Sequence, residues 1–135
     1  MSIDPRSHTP VYVQLADLLR EKIESGDLPP GAPIGSESRL SQEYGIGRDA
    51  VRMSIAVLKS EGLVTSSRGQ PTHVRSSPDQ RPVEVSPGST IVARMPKSSE
   101  RRKMDMDEGI PILEVRSPDG TVQTFPADEV VLHCP

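Results

Sequence analysis

The sequence predicts an α+β fold, in which an N-terminal winged helix-turn-helix of three helices and a β-hairpin precedes a small β-rich domain. Two segments with apolar residues at helical spacing are joined by a short turn that contains glycine, which is the arrangement of a helix-turn-helix. Two short strand-like runs around a turn follow directly, and the remainder alternates strand patterns with turn residues. The expected order is a flexible arm over 1–9, a winged helix over 10–76, a linker over 77–89 and a β-rich domain over 90–135.

Composition limits the kind of protein that this chain can form. At 135 residues it has room for one ordinary domain or two small ones. Apolar residues make up 33% and aromatic residues 2%, so a modest aliphatic core is expected and a large buried catalytic cavity is not. The net charge is −3, and residues 1–77 hold nine basic against nine acidic side chains. Any affinity for nucleic acid must therefore come from the local placement of arginines.

The chain offers no pattern that predicts catalysis, a metal site or a cofactor. Its single cysteine, Cys134, excludes an intramolecular disulfide, and its three histidines do not form a spaced ligand set for zinc. Neither a phosphate-binding loop nor a nucleophile motif is present. For these reasons the protein is not expected to be an enzyme. Because no apolar run reaches membrane-spanning length and no signal segment opens the chain, a cytoplasmic location is expected.

The first predicted helix begins at Pro10 and ends near Ser25, where Gly26 stops it. Leucines at helical spacing give it one apolar stripe, as Leu15 and Leu19 illustrate. The prolines of residues 27–33 exclude a helix there, so this segment is predicted to be a stiff connector.

Two further helices are predicted around a tight turn. Ser36 can cap a short helix over 37–43, and Gly45 and Gly47 can both adopt the positive φ of a sharp corner. The third helix is predicted over 48–61. One narrow face of this third helix is apolar enough to be buried, and it consists of Val51, Ser54, Ile55 and Leu58.

Three charged residues near the start of the third helix lie outside that apolar face: Arg48, Asp49 and Arg52. A helix that enters the major groove by its N-terminal end presents such side chains to base edges, and arginine can bond guanine O6 and N7 bidentately. Asp49 can accept a hydrogen bond from cytosine N4. The interpretation that Asp49 caps the helix or orients an arginine is favoured, since phosphates repel a carboxylate.

The wing is predicted as strands over 63–66 and 71–75. Its tip is Ser67-Arg68-Gly69-Gln70. Arginine there would suit the negative potential of a minor groove, and glycine would allow close approach of the backbone. The alternative is an ordinary exposed turn.

Beyond the wing, the pattern favours β structure. A short strand is expected over 83–85 within the linker, and a short helix is expected over 100–104, ending near Gly109. Asp119-Gly120 is a hairpin turn signal. The other strands are predicted over 91–95, 111–116, 121–125 and 130–133.

The run from Pro10 to Arg75 resembles the N-terminal domain of the GntR family of bacterial transcription regulators. The resemblance rests on residues 10–20, on Gly26-Asp27-Leu28-Pro29-Pro30-Gly31, on Ser36-Glu37, Leu40, Tyr44-Gly45-Ile46, Arg48 and Val51-Arg52, and on Leu58 with Glu61-Gly62-Leu63-Val64. The chain departs from the family at Gly35, where proline is usual, and at Gly47 and Asp49, where hydroxyl residues are usual. The operator sequence therefore does not transfer. Together with the residue patterns, the resemblance implies a DNA-binding set of Ser38, Arg39, Gly47, Arg48, Asp49, Ala50, Arg52, Arg68, Gly69 and Gln70.

The later part resembles, more weakly, the opening segment of the UTRA-type effector domain of the HutC-like subfamily. The residues concerned are Arg94-Met95-Pro96, Glu100-Arg101 and 109–116. Fewer than 60 residues remain for it, well short of the full domain. The β-rich domain over 90–135 is expected to supply the contact between copies, and an unidentified small-molecule effector is left open.

The sequence thus predicts a sequence-specific, DNA-binding transcription regulator. It is expected to act as a repressor on double-stranded DNA. A homodimer on a palindromic operator is expected, because one recognition helix contacts too few bases for a stable specific complex. The alternative is a protein-interaction module that uses a winged-helix scaffold. The balanced charge of residues 1–77 keeps that alternative open.

Overall fold

The structure, a computed structural model, describes residues 2–66 and 70–135. The chain divides into two compact units, the first ending at Ser76 and the second beginning at Ser77. Within the described ranges, no helix combines the length and the apolar character needed to cross a membrane.

The first unit contains three helices and a short hairpin. The helices are α1 (Val11–Ser25), α2 (Glu37–Tyr44) and α3 (Arg48–Ser60). Strands β1 (Val64–Thr65) and β2 (His73–Val74) pair antiparallel, with Val64 opposite Val74. The α+β winged helix-turn-helix expected from the sequence is therefore the observed architecture of this unit.

The core of this unit is built around the contact between α1 and α3. Helical periodicity places Leu15, Ala16 and Leu19 of α1 on one buried face. The four residues of the predicted apolar face of α3 are also buried, and they pack with Leu40 of α2 and with both hairpin valines. Because this face of α3 is fully used, the opposite face of the helix is left to solvent.

Ser54 is the polar member of the buried face of α3, and its side chain is 0% exposed. Its hydroxyl lies 2.6 Å from the backbone oxygen of Tyr12 in α1 and 3.0 Å from that of Ala50 one turn earlier in α3. A buried hydroxyl needs such a partner. The bond to Tyr12 therefore helps to set the position of α3 along α1.

An ion pair also joins α1 to the C-terminal end of α3. The guanidinium of Arg20 donates from Nε to Oε2 of Glu61 at 2.9 Å, and from Nη2 to Oε1 of the same carboxylate. It also contacts Asp17, one turn earlier in α1. The hydrogen bonds to Glu61 and Asp17 raise the pKa of Arg20 above its ordinary value, so this guanidinium stays charged.

The segment expected to be a stiff connector joins the hairpin as an additional strand-like stretch. Gly31 donates its N–H to the backbone oxygen of Val74 at 2.8 Å, and Val74 donates to Ala32 at 2.8 Å. Ile34 donates to Thr72 at 3.1 Å and is itself buried. The prolines show that the segment is not helical. They do not show which strand forms hydrogen bonds with its backbone N–H and C=O groups.

Residues 1–9 were expected to form a loose arm, but the part that the structure describes lies against α1. Gln14 accepts the N–H of Asp4 at 2.8 Å and donates its amide to the backbone oxygens of Asp4 and Thr9, both at 2.8 Å. Ile3 packs against the core. One side chain, Gln14, thus holds two residues of this segment, Asp4 and Thr9, against α1.

The second unit is β-rich. It contains β3 (Arg81–Glu84), β4 (Thr90–Arg94), α4 (Ser98–Lys103), β5 (Ile112–Arg116), β6 (Val122–Pro126) and β7 (Val130–His133). Strands β4, β5 and β6 form an antiparallel sheet in that order, whereas β3 and β7 pair in parallel. The small core of this unit consists of Val85, Val115, Phe125 and Val130.

Residues 77–89 were expected to be a linker containing one short strand, but they lie within the second unit. Arg81–Glu84 pair along their whole length with Val130–His133, and Val85 is buried in the core. Sequence alone identified the strand but not its partner, since the partner lies near the other end of the unit.

Helix α4 is tied to β4 by an ion pair. Arg94 donates two parallel hydrogen bonds of 2.8 Å to the carboxylate of Glu100, which also accepts the backbone N–H of Lys97 at 3.0 Å. The side-chain hydrogen bond from Arg94 and the backbone bond from Lys97 lower the pKa of Glu100 to about 2. The pair therefore stays ionised at neutral pH.

The packing predicts that truncating two apolar side chains of α3 will change the free energy of unfolding by very different amounts. Leu58 is 0% exposed, so Leu58→Ala should leave a cavity and lower the free energy of unfolding by about 2–5 kcal/mol. Met53 is 48% exposed, and Met53→Ala should change it by no more than about 0.5 kcal/mol. Urea denaturation followed by circular dichroism measures both. Equal effects would contradict the assignment of the buried face.

Candidate nucleic-acid interface

The turn between α2 and α3 depends on one glycine in the left-handed region. Gly45 ends α2 with φ 66°, and the next residue, Ile46, donates its N–H to the backbone oxygen of Ser41 at 3.2 Å. Gly47 has φ −67° and ψ 154°, an extended conformation open to any residue. The expectation that both glycines adopt positive φ is therefore wrong for Gly47.

Gly47 precedes the first residue of α3, where Ser, Thr, Asp or Asn would usually cap the helix. In the part of the chain that the structure describes, no side chain caps this end of α3. A Cβ built on Gly47 would meet nothing within 4 Å. The first N–H groups of a 13-residue helix thus point outward, and the helix dipole makes this end attractive to anions.

Both arginines of the predicted recognition helix are exposed and lie beside the start of α2. Nη2 of Arg48 lies 3.3 Å from the hydroxyl oxygen of Ser38. Nε of Arg52 donates to Oε2 of Glu37 at 2.9 Å, and 59% of the Arg52 side chain is exposed. The helix-turn-helix therefore brings the first turns of α2 and α3 together on one surface.

Asp49 is almost fully exposed at the start of α3, beside Arg52. Its side chain is 95% exposed, and Oδ1 lies 3.5 Å from Nη1 of Arg52. This contact is weak, but it is consistent with Asp49 orienting an arginine. The carboxylate does not cap α3.

Glu37 is the nearer partner of Arg52, and sequence reasoning missed it. The hydrogen bond from Arg52 to Glu37 raises the pKa of Arg52, with smaller contributions from the charges of Glu37 and Asp49. Fifteen positions separate the two residues. Since no local spacing rule connects them, only the folded turn could reveal the pair.

Three further residues of the predicted set, Arg39, Ala50 and Gln70, belong to the described part of the chain. Arg39 is exposed on α2, and its backbone N–H is bound by the capping hydroxyl of Ser36 at 3.0 Å. Ala50 is half-buried and Gln70 is exposed. Arg68 and Gly69 lie outside the described residues.

The local charge of the α2–α3 surface differs from that of the whole chain. Three arginines, Arg39, Arg48 and Arg52, stand against two carboxylates, Glu37 and Asp49, for a local balance of +1. Combined with the outward N–H groups of α3, this surface can bind an anionic backbone and offer guanidinium donors to hydrogen-bond acceptors.

The two turn glycines predict opposite effects of one substitution. Gly47→Ser should cap α3 without strain and raise the free energy of unfolding by about a few tenths of a kcal/mol. Gly45→Ser should lower it by roughly 1–2 kcal/mol, because a side chain must then occupy the left-handed region. Paired urea titrations compare the two variants. A loss of stability in Gly47→Ser as large as that in Gly45→Ser would contradict the turn geometry.

Comparison with known proteins identifies the scaffold that carries this surface. Residues 11–74 match the family described as bacterial regulatory proteins, gntR family. The HTH-type transcriptional repressor NagR of Bacillus subtilis is 35% identical over 74 residues. That segment covers 55% of this chain and 30% of NagR, so the match spans less than a third of this relative's length.

Two solved structures carry the same likeness. YtrA from Sulfolobus acidocaldarius, a GntR-family transcription factor, is 32% identical with a TM-score of 0.53, covering 56% of this chain and 79% of YtrA. AraR(DBD) in complex with operator ORX1 is also 32% identical, with a TM-score of 0.50, covering 55% of this chain and 92% of that one. The chain belongs to the gntR family of bacterial regulatory proteins, and its first unit is a winged helix-turn-helix of that family.

Proposed function

We propose that this protein is a sequence-specific DNA-binding transcription regulator, and that it acts as a repressor. Its α3 enters the major groove of double-stranded DNA by its N-terminal end. The observation that carries the proposal is the exposed pair Arg48 and Arg52 at the uncapped start of α3, on a helix whose opposite face is buried against α1. This geometry matches the docking of a recognition helix.

The two arginines supply the chemistry of base recognition. A guanidinium can donate two hydrogen bonds to O6 and N7 of guanine, and the N–H groups at the start of α3 can bind a neighbouring phosphate. In the free protein Arg52 is held by Glu37 at 2.9 Å. Binding would exchange this carboxylate for an acceptor on DNA.

Residues around this pair complete the proposed interface. Ser38 and Arg39 at the start of α2, with Gly47, Asp49 and Ala50 at the start of α3, lie where a helix-turn-helix approaches the DNA backbone. We assign Arg68, Gly69 and Gln70 to the adjacent minor groove as the wing tip.

The comparisons support the partner and the direction of regulation. AraR(DBD) is seen in complex with operator DNA, and NagR is a transcriptional repressor. The family match, over residues 11–74, lies within the first unit, where the proposed interface is.

A palindromic operator and a homodimer are part of the same proposal. A single recognition helix reads only a few base pairs, and two copies related by a two-fold axis read two half-sites. We assign the contact between copies to the second unit. Its weak resemblance to a UTRA-type effector domain makes a small-molecule effector part of the proposal for this unit.

Removal of one guanidinium tests the recognition helix. Arg52→Ala should weaken binding roughly 10- to 100-fold and relax the base preference at one position in each half-site. Fragments selected from random-sequence DNA by the wild-type protein provide the probe, and gel-shift titration provides the affinity. Arg116→Ala is the matched control, since Arg116 is similarly exposed, at 63%, but lies in the second unit. Equal affinities of Arg52→Ala and wild type would refute the assignment of α3.

The salt dependence separates DNA binding from a protein-interaction role. With about four phosphate contacts, the affinity should fall roughly 100-fold between about 50 and 200 mM salt, because bound counterions are released. Fluorescence anisotropy with the selected fragment measures this slope. A flat response would exclude an interface built on phosphate contacts and would favour a protein partner.

A further inference from the structure

The outer edge of β4 is open. Strand β4 pairs with β5 on one side over all five of its residues, from Thr90 opposite Arg116 to Arg94 opposite Ile112. Within residues 2–66 and 70–135, no strand pairs with its other side. The backbone N–H and C=O groups that point outward along this edge can therefore accept another strand.

The side chains of this edge are apolar and exposed. Ile91 is 42% exposed, Val92 49% and Met95, just after the strand, 55%. In the neighbouring strand β5, Ile112 and Val115 are only 0% and 3% exposed. Exposed apolar side chains on both faces of an edge strand are unusual in a protein that keeps the edge in water.

The apolar layer of the second unit stops partway across the sheet. Ile91 and Ala93 lie opposite Val115 and Leu113, and the same row continues to Phe125 in β6. The pair of strands β3 and β7 packs on this row through Val83, Val130 and Leu132, against Leu113, Val115 and Phe125. The β4 end of the row is left exposed, so the apolar face extends to the edge without a cover.

The charge on β4 does not oppose association. Its one ionised side chain, Arg94, is bound to Glu100 at 2.8 Å and lies 3.9 Å from Glu114. Lysines and prolines often protect a free edge, and β4 has neither; its one charged residue, Arg94, is paired with Glu100. The opposite edge strand, β6, ends in Pro126, which lacks an N–H group.

We propose that the β4 edges of two copies of this chain pair antiparallel and join the two three-stranded sheets into one six-stranded sheet. With Val92 at the two-fold axis, Ile91 of each copy lies opposite Ala93 of the other, on the same face of the sheet. The apolar rows that contain Ile91 and Ala93 in the two copies then join across the axis. The choice of a second copy as the occupant rests on the proposed function, which requires two recognition helices for two half-sites.

Matched lysine substitutions test this interface without DNA. Val92 and Val122 lie on the same face of the sheet, at opposite edges, and are 49% and 48% exposed. Wild type should have the mass of two chains in light scattering after size exclusion. Val92→Lys should halve that mass, because a charge on the edge opposes pairing, and Val122→Lys should leave it unchanged. Circular dichroism checks that both variants are folded.

A disulfide test does not depend on the stability of the lysine variant. In a Cys134→Ser background, Val92→Cys places two thiols across the axis, with Cβ atoms about 4.5–5.5 Å apart. Mild oxidation should give a covalent dimer, since this separation is close to what a disulfide bridges. Val122→Cys in the same background is the control and should stay monomeric in denaturing electrophoresis.

Three outcomes would overturn the proposal: a monomeric wild type, a dimer that survives Val92→Lys, or cross-linking through Val122→Cys instead of Val92→Cys. The proposed function fails separately. Salt-sensitive, Arg52-dependent binding to DNA would stand even if β4 did not pair, and a β4 dimer that did not bind DNA would overturn the function alone.

Discussion

The contact between α1 and α3 governs the rest of the first unit. Once α3 buries Val51, Ser54, Ile55 and Leu58 against α1, its rotation about its own axis is set, because the apolar stripe has only one way to leave water. The bond from Ser54 to Tyr12 then limits sliding along the axis. Every exposed side chain of α3 takes its direction from this packing, including both arginines of the proposed DNA interface.

The same constraint explains how an acidic chain can carry the proposed DNA-binding surface. The net charge of −3 describes the whole molecule, whereas binding depends on charges within about a Debye length of the phosphates, roughly 10 Å. At the start of α3, arginines and outward N–H groups are concentrated at one place. Glu37 and Asp49 reduce the local charge, so in the proposed interface they would also reduce non-specific affinity for DNA. A regulator with few excess positive charges depends more on base contacts for its stability on DNA.

Local rules predicted the helices well and the connections between distant segments poorly. Pro10, Gly26 and Ser36 act within one helical turn, so their effect on helix ends can be read from neighbouring residues. The pairing of Gly31 with Val74, and of Arg81–Glu84 with Val130–His133, joins residues about 40 to 50 positions apart. Such pairings depend on the whole chain. The two turn glycines show the limit at short range too, since identical residues two positions apart adopt different conformations.

Sequence by itself determined the winged helix-turn-helix, the buried face of α3 and the position of Arg48 and Arg52 outside that face, because helical periodicity is a local property. Only the tertiary structure decided that Glu37 holds Arg52, that Gln14 binds residues 4 and 9, and that the apolar row of the second unit runs to an open edge at β4. Each of these depends on which segments come together in space. Local sequence patterns do not identify which distant segments will pair. The pairing is decided by burial and by hydrogen-bond satisfaction over the whole fold.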